Sequence, residues 1–165
     1  RPFWLEDVLR VDNWATRADF RRQCGVPIAD SEMLLGRPAY LSLLESQAAD
    51  YVMVDPTWAG GISETRRIVD LAQAFNVPVT MHDCTGPLTM YSGLHCAVAS
   101  ANVVLQETVR AHIRTFYERL IDRQPVIEQG FLIPPADSGL GTALLPELFQ
   151  PGKNHHRVSG RLQES

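Results

Sequence analysis

Five ionisable residues, Glu6, Glu32, Asp55, His82 and Glu107, recur at intervals of 23 to 27 residues, and each closes a short apolar run. Glu6 and Glu32 are hard oxygen donors. On neighbouring strand ends they could hold a divalent cation such as Mg2+, which binds through oxygen and keeps several waters. The alternative is a pair of solvated rim carboxylates, with Asp7 and Asp30 as further acids either behind them or exposed. Asp55 next to His82 offers a second chemistry. A carboxylate against an imidazole raises its proton affinity, selects its tautomer and orients it as a general base. Glu107 could hydrogen-bond a substrate oxygen as charge develops on it. On the residues alone, pairing with Arg110 or Arg114 is the first reading of Glu107.

The apolar runs are Phe3-Trp4-Leu5, Val26-Pro27-Ile28-Ala29, Tyr51-Val52-Met53-Val54, Val77-Pro78-Val79-Thr80-Met81 and Val103-Val104-Leu105-Gln106. Short continuous runs of this kind read as strands buried on both faces, as in a parallel sheet. Barrels and doubly wound sheets place their chemistry at the C-terminal ends of such strands. Helical patterns lie between the runs. Ile68, Leu71, Ala72 and Phe75 share one helix face, Leu41, Leu44 and Ala48 do so more sparsely, and the spacing predicts further helices over 14–24, 92–101 and 111–123. Asp12 or Asn13 caps the first of these. Cys24-Gly25-Val26-Pro27 and Phe75-Asn76-Val77-Pro78 read as one repeated device, with Gly or Asn left-handed after a helix and Pro opening the next strand. Repetition of strand, loop, helix and loop with right-handed crossovers builds a parallel sheet or barrel. Gly60-Gly61 reads as a tight turn, because the Rossmann and Walker phosphate patterns are both missing. From Pro125 the chain is rich in Pro and Gly and reads as irregular.

The 165 residues suit one domain, and 45% hydrophobic residues with 21% charged ones describe an ordinary globular chain. A net charge of −4 provides no basic face, so nucleic acid is not an expected partner. No stretch approaches the roughly 20 apolar residues of a membrane span. Cys24, Cys84 and Cys96 are odd in number and lack paired ligand spacing, which fits a reducing, cytoplasmic setting. The sequence opens on Arg1-Pro2 directly before a strand, as a polypeptide entered midway would.

The order of motifs resembles the mandelate racemase/muconate lactonizing enzyme-like branch of the enolase superfamily. It runs from Glu6-Asp7 through Pro27-Ile28-Ala29-Asp30-Ser31-Glu32, Asp55 with Gly60-Gly61-Ile62-Ser63-Glu64, and His82, to Glu107. Pro134 to Gly141 resembles that family's return segment to its capping domain. The resemblance implies an α/β fold: the C-terminal part of a (β/α)7β TIM-like barrel, about five βα units, without the capping domain and first strands. It places a partial barrel at 3–124, the return segment at 125–150 and a tail at 151–165. Complete barrels typically take about 250 residues.

By the same resemblance Glu6 and Glu32 are Mg2+ ligands, His82 is the general base, Asp55 its dyad partner and Glu107 the substrate-binding acid. The implied reaction removes the proton α to a carboxylate to give an enediolate, stabilised by metal and positioned donors. A dehydratase acting on a small-molecule sugar acid is the first expectation. A racemase or epimerase of a 2-hydroxy acid, and a truncated non-catalytic module, are the alternatives. The first metal ligand and an opposite-face Lys have no counterpart here, so the chain alone is expected to be inactive. Thr57, Trp58, Cys84 and Thr85 are candidate pocket contacts, and a symmetric homo-oligomer is implied.

Overall fold

The structure, a computed structural model, describes residues 1–150 and residue 152. Five strands form one parallel sheet in sequential order: β1 (Leu5–Glu6), β2 (Ile28–Asp30), β3 (Tyr51–Val54), β4 (Val79–Met81) and β5 (Val103–Gln106). Each predicted apolar run contributes one strand. The ladders pair Glu6 with Ala29, Asp30 with Val52, Val54 with Met81 and Met81 with Gln106, so the strands end at one rim.

Helices α1 (Trp14–Gln23), α2 (Gly36–Glu45), α4 (Ile62–Ala74) and α5 (Pro87–Val98) provide the crossovers, and the short α3 (Pro56–Ala59) precedes α4. The main core packs Tyr40, Leu43 and Leu44 of α2 and Ile68, Val69 and Ala72 of α4 against Val52, Val54, Val79 and Met81. A second core joins Met90, Tyr91 and Leu94 of α5 to Tyr117 and Ile121. Asn13 caps α1 by accepting the Thr16 N–H at 3.0 Å. No helix among the described residues is long and apolar enough to cross a membrane.

Several local expectations are corrected. Only β2, β3 and β4 are deeply buried; in β5, Val104 and Leu105 are 49% and 47% exposed, because the strand has a sheet neighbour on one side only. Asn76 is left-handed as expected (φ 56°), but Gly25 is not, because α1 ends on an extended Cys24 that needs no reversal. The helix predicted over 92–101 starts instead at Pro87, preformed for a first helical position, with Gly86 (φ 148°) before it. The helix predicted over 111–123 splits into α6 (Arg110–Thr115) and a 3-10 turn (Tyr117–Arg119), and the break turns Tyr117 into the second core. The irregular stretch contains an antiparallel hairpin, β6 (Val126–Glu128) and β7 (Phe131–Ile133). Its turn residues Gln129 and Gly130 both have positive φ, the two-residue turn whose twist suits paired strands. The tail expected at 151–165, with His155 and His156, lies outside the described residues apart from Gly152.

Beneath the rim sits a buried ionic network that composition does not reveal. Arg17 of α1 is 3% exposed and pairs with Asp30, which is 2% exposed. Its guanidinium also donates to Leu9 O at 2.7 Å and Ser31 Oγ at 2.6 Å, and stands 3.7 Å from Asp7 Oδ1. The Trp14 ring covers it at 5.6 Å. Tyr40 reaches in from α2, its hydroxyl 3.2 Å from both Ser31 O and Met53 O. These contacts fix the strand end just before Glu32. Removing one partner of a buried pair leaves an uncompensated charge, so Arg17→Met should destabilise the fold by about 3–5 kcal/mol. Breaking the exposed Arg22–Asp19 pair should cost under about 1 kcal/mol. Urea unfolding of the two variants side by side checks both values.

Candidate active site

Asp55 is fully buried at the junction of β3 and α3, and its carboxylate serves both elements. Oδ1 accepts the N–H groups of Thr57 and Trp58 at 2.7 and 3.4 Å and so caps α3. Oδ2 accepts the Thr85 hydroxyl at 2.7 Å and lies 3.0 Å from His82 Nδ1. Burial alone would raise this carboxyl, but the bonds from His82, Thr85 and the Thr57 amide outweigh it and hold Asp55 below the usual range. Pro56 stands at the first helical position, where its missing N–H costs nothing.

His82 extends β4 by donating its backbone N–H to Val54 O at 3.0 Å, which sets it beside Asp55. With Nδ1 against a carboxylate, the ring carries its proton there and presents Nε2 outward. Nε2 lies 3.8 Å from Glu107 Oε2. Burial disfavours the imidazolium, but the Asp55 bond and the Glu107 and Glu32 charges win, and the His82 pKa is raised above 6.5. Glu107 is placed in the same way, its N–H bonded to Met81 O at 2.9 Å. Its Oε2 accepts the Asp83 backbone N–H at 2.8 Å. Neither Arg110 nor Arg114 forms an ion pair with it among the described residues, so the arginine alternative is set aside.

Glu6 closes β1 and takes a 3.4 Å bond from Trp4 Nε1. Burial raises its pKa, and the Glu107 and Glu32 charges add to the shift. Glu32 follows the Arg17-anchored strand end. Burial and the adjacent Asp7 carboxyl push it up to about 7, and its Oε2 has no hydrogen-bond partner among the described residues. Glu6 and His82 therefore both feel the Glu107 and Glu32 charges. A cleft of about 180 Å³ opens between Trp4, Glu6, Met53, Thr80, Leu105, Gln106 and Glu107. Mutually repelling carboxylates with a buried orphan oxygen are a donor set suited to a hard, oxygen-seeking cation. No three His, Cys, Asp or Glu side chains among the described residues are grouped tightly enough to hold an ion.

The remaining expectations divide. Asp30 is neither exposed nor free, being paired to Arg17. Thr85 points its hydroxyl at Asp55, and the Thr57 hydroxyl bonds that of Thr89. Trp58 and Cys84 remain exposed. Gly60 and Gly61 (φ 113° and 94°) form the turn between α3 and α4. His95 bonds Leu140 O at 3.1 Å, and the His112 ring lies 4.8 Å from that of Phe116 at a tilt of 48°. Arg17 and Tyr40 carry no sequence signal of their role: an arginine on a helix that ends five residues before a strand shows its partner only in three dimensions.

The model of the family described as enolase C-terminal domain-like matches residues 1–148. The chain belongs to that family. Among curated relatives, the D-xylonate dehydratase of Haloferax volcanii is 30% identical over 142 residues, 86% of this chain and 34% of that protein. The arabinonate dehydratase of Saccharolobus solfataricus is 25% identical over 151 residues, 92% of this chain and 40% of that protein. A solved enolase from Sargasso Sea environmental sequencing superimposes with a TM-score of 0.80 at 43% identity, covering 87% of this chain and 39% of that one. An enolase of the mandelate racemase subgroup from Agrobacterium tumefaciens gives 0.81 at 36%, covering 88% and 39%. The family member therefore falls in the mandelate racemase-like branch and carries its C-terminal barrel portion. It spans about two fifths or less of the length of these proteins.

The raised His82 pKa has a testable cause. The pair's contribution to stability is complete below the unfolded value near 6.5 and is lost as pH rises through the higher folded value. The Asp55 contribution runs the other way, present above 3.8 and lost as pH falls through its lowered folded value. An NMR titration of the His82 ring should show a midpoint above 6.5. Asp55→Asn should lower that midpoint; an unchanged midpoint would mean that Asp55 is not its source.

Proposed function

We propose that this family member provides the acid/base side of an enzyme that removes the proton α to the carboxylate of a sugar acid and then dehydrates it. The observation that carries the reading is the His82–Asp55 contact of 3.0 Å, which leaves Nε2 facing Glu107 over a rim of acids. The xylonate and arabinonate dehydratases among its relatives support the substrate class.

In this reading His82 Nε2 accepts the α-proton, and Asp55 stabilises the imidazolium that results. Glu107 binds a substrate oxygen beside it, held in place by the Asp83 amide. The electron pair left on carbon is delocalised into the carboxylate as an enediolate. Collapse of the enediolate expels the β-hydroxyl, which takes the proton back from His82 and leaves as water. The enol that remains becomes a 2-keto-3-deoxy acid. Glu6 and Glu32 would hold Mg2+, which when bound supplies positive charge beside the carboxylate that becomes doubly anionic. Arg17 keeps the Glu32 strand end in place without entering the cleft.

The test uses the full-length protein, a panel of sugar acids including D-xylonate and arabinonate, and D2O. Wild type should form a 2-keto-3-deoxy product in a Mg2+-dependent manner. His82→Asn should lower turnover by at least about 100-fold, the range for a lost general base. Glu32→Gln should weaken Mg2+ binding measured by calorimetry. Deuterium returned to the α-carbon without loss of water would replace dehydration by racemisation or epimerisation. Absence of both reactions in wild type would leave the non-catalytic alternative.

A further inference from the structure

Asp55 uses every acceptor site that a carboxylate offers, two lone pairs on each oxygen. Those of Oδ1 take the Thr57 and Trp58 amides. Those of Oδ2 take His82 Nδ1 at 3.0 Å and the Thr85 hydroxyl at 2.7 Å. Three of these partners have a role in the site as described, since the two amides cap α3 and His82 is the base. The Thr85 hydroxyl has none, yet it lies closer to Oδ2 than the imidazole does.

A short stretch of chain brings Thr85 to the dyad. It lies three residues after His82 and two before Pro87, which opens α5, and Gly86 (φ 148°) turns the chain between them. Farther along, the Thr89 hydroxyl bonds that of Thr57. The β3–α3 junction and the β4–α5 segment are therefore joined by two hydroxyl contacts, one of them on the dyad oxygen itself. Thr85 is exposed while Asp55 is out of reach of solvent. Its hydroxyl does for Oδ2 what water does for a surface carboxylate.

We propose that Thr85 is a positioning residue of the dyad: its hydroxyl holds Asp55 Oδ2 toward His82 and takes up part of the charge on that oxygen, which leaves the imidazole free to be neutral. A base has to be neutral to accept a proton, and each acid near His82 works against that when ionised. These acids are Asp55 after β3, Glu107 after β5, Glu32 after β2, Glu6 on β1 and Asp83 next in sequence. A second donor to Oδ2 opposes them, because a carboxylate oxygen that shares its charge with another proton attracts the imidazolium less. The bond itself stands on this geometry; its effect on turnover rests on the α-proton reading.

The experiment compares the full-length wild type with Thr85→Val, which keeps the branched shape and removes the hydroxyl, and Thr85→Ser, which keeps the hydroxyl. The NMR midpoint of the His82 ring should rise in Thr85→Val by about half a pH unit, part of the roughly one to three that a neighbouring charge supplies. This direction is opposite to that of Asp55→Asn. Thr85→Ser should titrate as wild type does. The acidic limb of kcat/KM against pH should move up by the same amount in Thr85→Val, with the plateau above it little changed, since that limb reports the base of the free enzyme. A His82 midpoint that stays or falls in Thr85→Val would overturn the proposal. So would a Thr85→Ser midpoint shifted as far as that of Thr85→Val, which would assign the effect to the methyl group. A kcat/KM lowered equally at every pH, with the His82 titration unaltered, would make Thr85 a substrate contact instead. A wild type inert toward every sugar acid would defeat the α-proton reading, while the His82 titrations still decide the role of Thr85.

Discussion

The rim depends on one buried carboxylate. Asp55 has two oxygens and four hydrogen-bonding partners, and they belong to different parts of the site. One oxygen ends α3 by satisfying free N–H groups of its first turn. The other takes the imidazole of β4 and the hydroxyl of the loop after it. A carboxylate buried this deeply persists only when its charge is met on all sides. Supplying those bonds orders α3, fixes the His82 ring and pins Thr85. The same bonds leave Nε2 as the ring nitrogen turned toward Glu107. Local folding and proton chemistry are thus two consequences of the same four contacts.

The acids of the rim are sorted into two electrostatic environments. On the β1–β2 side the positive charge lies below, in Arg17, and it is spent on Asp30 and Asp7. Glu32 receives none of it as a direct bond and is pushed up to about 7. On the β3–β5 side positive charge is supplied by the end of α3 and by His82 itself, and Asp55 is held low. The raised group and the lowered group lie on neighbouring strand ends of one rim. Titratable groups driven in opposite directions by their surroundings are how one site keeps its acid and base roles apart.

The sheet was legible in the sequence because a strand covered on both faces has little choice of residue. Tyr51–Val54 matches its predicted run residue for residue, and so does Val103–Gln106, although that edge strand is half-exposed rather than covered. The five strand-end groups were legible for the complementary reason, that an ionisable residue ending such a run has only the rim to go to. Contacts made across the fold were not. Arg17 looks like any arginine on a polar helix until Asp30 is brought over it. The break at Phe116 is set by the second core, which takes Tyr117 inward at the expense of a longer helix. Gln129-Gly130 lacks the usual Asn or Asp of a hairpin turn, so the hairpin of 126–133 passed for irregular chain.

Charge balance ties the site to its proposed substrate. Glu6 and Glu107 line the cleft, Glu32 lies near enough to act on both Glu6 and His82, and His82 brings positive charge to this rim only when protonated. A base must be neutral to take a proton, so at the start of the reaction His82 brings no positive charge to the rim. A sugar carboxylate entering it would meet repulsion from three acids at short range, in surroundings that screen poorly. The arrangement becomes productive only if part of that charge is offset before the substrate arrives. A cation held by Glu6 and Glu32 would offset that charge. The same acids that keep His82 raised would then work for proton return, since an imidazolium formed between Asp55 and Glu107 is stabilised until the leaving hydroxyl claims its proton.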